Sequence, residues 1–273
     1  MSLTKKIDFA IIISVKNANP NGDPINDNRP RTNYDGYGEI SDVCLKRKIR
    51  NRLMDSGIPI LVQSYDYRND EFHSIKDRYE SIVKSLPKTA TIEERTAFSC
   101  RAWFDVRAFG QVLAGVDSTF ASIAIRGPVS IQSAFSLEPV DVSSMQITKS
   151  VNLKTDTDKD PSQKSSDTMG MKHRVERGVY VTFGSINRQL AEKTGFTDED
   201  ALILKSAMCR MFENDESSAR PAGSMEVKKV IWWTHTGVVL SSSKVHGSIK
   251  VIADGSYTIV PLDGIALEEL DGF

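Results

Sequence analysis

The residues of this sequence best suited to chemistry are a group of cations in the segment VCLKRKIRNRLM, residues 43 to 54. Five Lys or Arg side chains and no acid lie within it: Lys46, Arg47, Lys48, Arg50 and Arg52. At helical spacing Leu45, Ile49 and Leu53 form an apolar stripe that cations flank on both sides, and Ser41 is a suitable N-cap. Such a helix can hold phosphates along its edges and at its N-terminal N–H groups. The alternative is an amphipathic helix with solvated cations.

Other catalytic or metal-binding signatures are absent from the sequence. No HExxH, GxxxxGK[ST] or GxSxG motif occurs. The three cysteines, Cys44, Cys100 and Cys209, form no CxxC, which argues against a disulfide framework and a zinc site. No histidine has a Cys or His neighbour at ligand spacing, so we expect no metal and no cofactor. His235 is expected to be structural, whereas His173, between two cations, suits an anion contact and a structural role equally.

A few apolar and aromatic side chains are suited to contacting bases. Met169 and Met171, at the foot of a polar excursion, can wedge between bases or pin the excursion to the core. The segment RGVYVTF is similar to an RNA-binding pattern but lacks its central small residue, so a core strand is favoured. Trp232 and Trp233 are predicted to point to opposite faces of a strand, so only one of them could stack on a base.

Composition limits the classes of protein to consider. The chain has 273 residues, of which 40% are hydrophobic and 26% charged, with a formal net charge of -1. These values exclude wholesale disorder, and no run approaches the ~20 apolar residues of a membrane span. Because the net charge is nearly zero, affinity for nucleic acid has to come from clustered cations. The apolar start reads as a buried strand rather than a signal peptide, and we expect a soluble protein of the cytoplasm.

The elements that position these residues follow a recognisable order. Residues 7 to 15 predict a buried strand that turn formers end, and a helix follows through about residue 54. Further helical spacing predicts an inserted helical unit at about 58–118. The other predicted elements are strands at 122–126, 129–140, 175–183, 226–235, 245–252 and 257–262, a helix at 198–212 and an exposed polar excursion at 143–172. The first two short strands read as a hairpin or bend. Without insertions this is an α+β pattern of ferredoxin-like and RNA-recognition folds.

Five motifs together carry a family resemblance. In chain order they are NANPNGDP, SDVCLKRKIR, WFDVRAFG, IRGPVSIQSAF and MGMKHRVERGVY. In this combination the sequence resembles the Cas7 family, the backbone subunits of type I CRISPR surveillance complexes (Cascade), and is most similar to type I-C members. The matches run from residue 7 to about residue 236.

The resemblance implies a fold with three parts: a ferredoxin-like or RNA-recognition-like palm, an inserted helical finger domain and an extended thumb. The implied segments are palm 1–57, finger 58–118, palm 119–139, thumb 140–174 and palm 175–273.

The resemblance also implies a function that needs no catalysis. Family members polymerise along the guide RNA (crRNA) and grip its backbone, and each thumb displaces one base at regular intervals. Guide pairing then selects the target DNA strand, so the protein reads shape and charge. The implied partners are the guide, the target strand, further copies of the chain, a guide-end-capping subunit and a large subunit, with no membrane.

The implied binding residues follow the motif positions. The phosphate contacts are Ser41, Lys46 and Arg50, followed by Arg47, Arg107 and Arg126. The thumb contacts are Met169, Met171 and His173. The acidic thumb tip, DTDKDP, is a poor RNA contact and is better suited to a neighbouring subunit.

Two other functions are compatible with the sequence. Related subunits of type III complexes cleave RNA with a loop aspartate and a divalent metal, and here Asp23, Asp27 and Asp35 occupy that loop. The turn-forming contexts of Asp23 and Asp27 favour a structural role. The other function is a filament-forming protein that binds no nucleic acid, which agrees with the composition.

Overall fold

The computed structural model describes residues 2–87, 89–115, 122–148 and 169–273. In these ranges the strands are β1 (Ile7–Ala18), β2 (Gly22–Asp23), β3 (Arg29–Pro30), β4 (Tyr37–Ile40), β5 (Gly110–Ala114), β6 (Ser122–Arg126), β7 (Val129–Ile131), β8 (Ala134–Pro139), β9 (Val142–Thr148), β10 (Met169–Ile186), β11 (Met225–His235), β12 (Ile249–Val251), β13 (Tyr257–Ile259) and β14 (Ile265–Asp271). The helices are α1 (Asp42–Asp55), α2 (Ile75–Val83), α3 (Ile92–Ala102), α4 (Phe104–Phe109), α5 (Arg188–Thr194), α6 (Asp198–Cys209) and α7 (Ser242–His246). Among the described residues, no helix combines the length and apolar character that a bilayer crossing requires.

A large antiparallel sheet organises the molecule around β1. Its strand order is β14-β11-β1-β10-β8-β4, and β7 and β9 also pair with β10. The run IDFAIIISV places apolar side chains on both faces of β1, and Ile11 and Ile12 are both fully buried. A strand with this pattern has to be central, because each of its faces needs a covering layer.

Each face of the sheet carries its own core. On one face, the predicted apolar stripe of α1 packs with α6 and with Phe9 of β1. On the other face, α7 and the β12–β13 hairpin cover Ile12 and Trp233. The helical insertion has a separate cluster that includes Tyr79 and Trp103. Each Trp of the β11 pair is buried in a different core, so neither of them can stack on a base.

Four strands and two helices form the centre of the fold. Helix α1 lies between β1 and β8 along the chain, and α6 lies between β10 and β11. Across the sheet these strands run β11-β1-β10-β8, which is fourth, first, third and second in chain order. The prediction of a mixed fold of helices and strands is confirmed, and its large sheet is antiparallel. Helix α1 begins where it was predicted, because Ser41 caps it.

One predicted element is wrong in detail, and one predicted pairing is now decided. The strand predicted to begin near residue 245 is preceded by α7, because the Ser241 side chain accepts a hydrogen bond from the Lys244 N–H and caps a short helix. The strand predicted at 122–126 has the predicted bounds, and it pairs with β5 rather than with the strand that follows it, so of the two predicted alternatives the chain forms a bend and not a hairpin. The chain bends at Gly127, where a Cβ atom would lie only 2.4 Å from the Gly110 nitrogen.

Strand β10 is longer than the sequence indicates. It starts at Met169, and its first part pairs with β9 to form a two-stranded ribbon beyond the main sheet. Both ends of the predicted polar excursion, residues 143–148 and 169–172, form strands of this ribbon. The acidic tip DTDKDP lies outside the described residues.

Candidate nucleic-acid interface

The start of α1 is joined firmly to the loop that precedes it. The Ser41 N–H and hydroxyl both donate to the Asn21 Oδ1 atom at 2.9 Å, and the Ser41 Oγ accepts from the Cys44 N–H at 3.3 Å. The Cys44 thiol donates to the Pro20 carbonyl. The Ser41 hydroxyl is therefore used within the protein. The Asp42 and Val43 N–H groups precede the first intrahelical hydrogen bond and are not used by this cap, so they are left for an anion.

Lys46 is held only weakly. Its Nζ atom lies 2.9 Å from Asp42 Oδ2, one turn earlier on the same helix, and the two side chains are 23% and 37% exposed. A half-buried surface pair of this kind, within one helix, contributes about 0 to 1 kcal/mol. A phosphate can therefore replace Asp42 as the partner of Lys46 at little cost.

Arg50 is bound within the protein. The sequence predicts that it lies on an open edge of α1, but its side chain does not face solvent. Its side chain is 10% exposed, and its Nε atom donates to Asp105 Oδ2 at 2.9 Å. The buried Asp105 carboxylate also accepts the N–H groups of Leu61 and Val62, at 2.9 and 3.1 Å. This arrangement connects α1, α4 and the segment at residues 61–62. Arg50 therefore has a structural role in the folded chain, and its phosphate contact stays a prediction.

Two further predicted contacts are also engaged within the protein. The Arg107 Nε and Nη2 atoms donate to the two carboxylate oxygens of Asp200, at 3.0 and 2.7 Å, which joins α4 to α6. Arg47 donates to the Val62 carbonyl at 2.7 Å, and burial lowers the pKa of its guanidinium. Like Arg50, both side chains join separate parts of the fold: Arg107 joins α4 to α6, and Arg47 joins α1 to Val62.

The positive edges predicted for α1 are largely neutralised by carboxylates from elsewhere in the chain. Lys48 lies 2.6 Å from Asp215, and Arg52 lies 3.2 Å from Glu213. These acids come from a loop far along the sequence. The segment itself contains no acid, so the sequence led us to expect a larger positive charge on α1 than the folded chain presents.

Phe109, at the end of α4, lies close to two of the predicted cations, and a third lies on the adjoining hairpin. The Lys46 Nζ lies 6.0 Å and the Arg50 Cζ 5.2 Å from the centre of its ring. The next residue, Gly110, is paired with Arg126 across the β5–β6 hairpin. Arg126 is exposed and makes no ion pair within the part of the chain that the structure describes. We call Lys46, Phe109 and Arg126 the first flank of α1.

The opposite side of the helix start carries two arginines that the sequence did not single out. The Arg31 N–H donates to the Asn21 carbonyl, so this residue lies beside the loop that holds Ser41. Arg31 and Arg220 both act electrostatically on the Cys44 thiol, whose pKa is raised chiefly by burial. Their carboxylate partners are Asp23 at 3.4 Å for Arg31 and Asp215 at 2.9 Å for Arg220.

We call Arg31 and Arg220 the second flank of α1. Arg220 lies in SSARPAG, far from α1 in sequence, and Arg31 lies in a loop rich in turn formers. No local pattern links either arginine to the helix, so only the fold could reveal them.

The β9–β10 ribbon displays apolar side chains on both of its faces. Met169 and Met171 are 63% and 49% exposed and share one face by strand alternation. Met145 and Ile147 are exposed on the other face. The two predicted thumb methionines are therefore accessible to a ligand.

His173 is buried at the base of the ribbon. Its Nδ1 atom lies 2.8 Å from the Ser144 hydroxyl, and its Nε2 atom lies 3.5 Å from Asp27 Oδ2. Asp27 follows a 3-10 turn, Pro24–Asn26, which the Asp23 side chain caps. His173 therefore joins the ribbon to the loop before α1. Its RNA contact stays a prediction.

Comparisons with known proteins identify the family of this chain. The family model described as CRISPR-associated protein Cas7 matches residues 5–260. A curated relative from Haloferax volcanii, also described as CRISPR-associated protein Cas7, is 27% identical over 248 residues, covering 82% of this chain and 68% of the relative. A solved chain from a structure titled "CRISPR RNA-guided surveillance complex, pre-nicking" has a TM-score of 0.52 and 16% identity, covers 88% of this chain and 81% of its own, and shows a similar fold. The family resemblance found in the motifs is confirmed, and the chain belongs to the Cas7 family.

Proposed function

We propose that this chain binds the backbone of a CRISPR guide RNA and assembles with further copies of itself as a non-catalytic backbone subunit of a type I surveillance complex. The observation that carries this proposal is the start of α1. There a fixed loop, first-turn N–H groups and cations on both flanks converge, which is an arrangement suited to phosphate.

The architecture supports division of the chain into palm, finger and thumb. The β11-β1-β10-β8 order, with α1 and α6 on one face, is the expected arrangement of a ferredoxin-like palm. The helical unit with its own core corresponds to the finger, residues 58–118. The β9–β10 ribbon corresponds to the base of the thumb, residues 140–174. The palm then comprises residues 1–57, 119–139 and 175–273.

The binding residues divide into contacts and supports. Lys46 and Arg126 on the first flank, together with Arg31 and Arg220 on the second flank, meet phosphates. Ser41 orients the helix start. The remaining predicted residues, Arg47, Arg50, Arg107 and His173, hold these contacts in position through partners within the protein.

The thumb ribbon supplies a contact of another kind. Met169 and Met171 insert between bases and displace one without reading its identity. The bases between these points remain free to pair with the target DNA strand, so guide pairing supplies the sequence specificity. The partners are the guide, the target strand, adjacent copies, a guide-end-capping subunit and a large subunit, in a cytoplasmic complex of subtype I-C.

Salt dependence tests the phosphate contacts. We expect the wild-type affinity for single-stranded RNA, measured by fluorescence anisotropy, to fall steeply as salt rises. Lys46→Ala should make the log-log slope shallower by roughly 0.7 for each lost phosphate contact, with similar losses for unrelated RNA sequences.

Lys76→Ala is the matched control, because Lys76 also forms a surface pair one helical turn away, with Glu80 at 3.8 Å. It should leave the slope unchanged. A wild-type protein that binds no RNA, or a loss in Lys46→Ala that depends strongly on RNA sequence, would overturn the proposal.

RNA cleavage is the second candidate function, and one observation favours it. The Asp27 carboxylate is 77% exposed and faces His173, whereas Asp23 is occupied in capping a turn and pairing with Arg31. Incubating the guide-loaded protein with Mg²⁺ or Mn²⁺ and complementary RNA tests this function. Regularly spaced fragments that disappear in Asp27→Ala would establish cleavage and contradict the non-catalytic role.

A further inference from the structure

On the helical unit, the exposed rings of Tyr65 and His73 and the half-buried Arg68 side chain form a group that we call the stacked group, in which the guanidinium lies over the Tyr65 ring. The Arg68 Cζ lies 4.5 Å from the centre of the Tyr65 ring, and the His73 ring centre lies 5.8 Å from the same point. The Arg68 Nη1 atom contacts His73 Nδ1. Because arginine can only donate, His73 Nδ1 has to accept this hydrogen bond. Tyr65 remains 73% exposed, so most of its ring is open to a ligand.

The segment that carries this group is held by a buried arginine. The Arg78 Nε and Nη2 atoms donate to both oxygens of Asp70, at 2.6 and 2.7 Å, and this pairing lowers the pKa of Asp70. Asp70 also accepts the Phe72 N–H, and Arg78 donates to the Leu61 carbonyl. The stacked group therefore lies on a fixed scaffold, which reduces the entropy lost when a ligand binds.

The charges around the group indicate which part of a nucleic acid it can hold. Asp66 and Glu71, within the same segment, are exposed and negative. They repel phosphate, so the group is poorly suited to the nucleic-acid backbone. An aromatic ring and a guanidinium plane are nevertheless the surfaces on which unpaired bases stack, and such stacking tolerates any base.

We propose that Tyr65, Arg68 and His73 form a stacking platform for an unpaired base of single-stranded nucleic acid. This proposal rests on the proposed guide-binding function and adds a second type of contact on the finger. The base comes from the guide RNA or from the target DNA strand, because both present the same π-face. Unlike the phosphate contacts at α1, the platform contributes affinity that changes little with salt.

The test compares Tyr65 variants in binding experiments over a range of salt concentrations. Tyr65→Ala should weaken binding roughly 5- to 100-fold, the range for loss of one stacked base, and leave the salt slope unchanged. Tyr65→Phe keeps the ring and should bind within about 2-fold of wild type. Phe98→Ala is the matched control, because Phe98 lies 6.0 Å from Arg101 in a similar pair on the same helical unit. It should not change affinity.

Two arms identify the source of the base. In the first, the protein binds guide RNA alone; in the second, the guide-loaded protein binds a complementary DNA strand. The arm in which Tyr65→Ala loses affinity identifies the strand. A scan of single abasic sites in that strand should find a position at which wild type and Tyr65→Ala bind equally.

The outcomes separate the platform from the main proposal. If Tyr65→Ala matches wild type in both arms while Lys46→Ala still weakens RNA binding, the platform is overturned and guide binding stands. If the wild-type protein binds neither strand, both proposals fall. Circular dichroism and thermal melting of each variant verify that the substitutions at Lys46, Tyr65 and Phe98 leave the fold intact.

Discussion

Lys46 and Arg50 lie one helical turn apart on α1 and have different physical roles. The Lys46 side chain forms a half-buried pair with Asp42 of its own helix, and a phosphate can replace Asp42 in this pair. Arg50 instead pairs with a carboxylate that is fully buried and that also anchors two backbone N–H groups. A charge in such a network cannot be released to a ligand without leaving its partner desolvated.

Arg50→Ala is therefore expected to destabilise the fold. Removing the guanidinium leaves the buried Asp105 carboxylate without its cation, which costs roughly 3–5 kcal/mol. Urea unfolding at neutral pH measures this cost, and Lys46→Ala, as the control, should change the free energy of unfolding by less than about 1 kcal/mol. An Arg50→Ala protein with normal stability and impaired RNA binding would instead restore Arg50 as a direct phosphate contact.

At the scale of elements, the β9–β10 ribbon has two apolar faces that can be tested separately. Met169 and Met171 lie on one face, and Met145 and Ile147 on the other. All four side chains are exposed, so replacing them removes little buried area and should leave the fold unchanged. Only the face of the ribbon that contacts the guide RNA can displace a base.

The double substitution Met169→Ala and Met171→Ala should abolish regular base displacement. Chemical probing of a bound guide should show evenly spaced reactive bases with the wild-type protein and a uniform pattern with this variant. Met145→Ala with Ile147→Ala, on the opposite face, should keep the spacing. If only the second pair abolished the pattern, the other face of the ribbon would be the wedge.

At the scale of the whole molecule, a buried charge network joins the sheet to the layer on its second face. The Asp8 carboxylate of β1 lies 2.7 Å from His235 Nε2, 3.4 Å from His246 Nε2 and 3.0 Å from Lys6 Nζ. Burial by itself raises the pKa of Asp8, but hydrogen bonds from His246, Ser242, His235 and Lys6 outweigh it and hold the pKa far below its ordinary value.

This lowered pKa predicts a loss of stability in acid. A carboxyl whose folded-state pKa is depressed contributes fully above its unfolded-state value, 3.8, and the contribution falls as pH drops below it. Asp8→Asn should therefore cost roughly 2–4 kcal/mol at pH 7, and its difference from wild type should narrow below about pH 4. Urea unfolding from pH 7 to pH 3 measures the free energy of unfolding of the wild type and of Asp8→Asn. If the two free energies differed by the same amount over this whole range, the lowered pKa of Asp8 would be contradicted.

Local sequence determined the main elements of the fold. The run of β1 is apolar at consecutive positions, which requires a central strand, and Ser41 and Thr91 begin helices because their side chains cap the first turn. The order of strands and helices, together with the five motifs, led to the Cas7 family. These features could be predicted because each depends on residues close together in the chain.

The tertiary structure decided which cations are available to a ligand. Asp105, Asp200 and Asp215 neutralise Arg50, Arg107 and Lys48, although each pair is far apart in sequence. Ion pairing depends on distance in space, and no local pattern records which acid will meet which base. For the same reason the sequence identified the cationic segment but not the acids that pair with it. It also did not single out Arg31 and Arg220, which only folding brings to the start of α1.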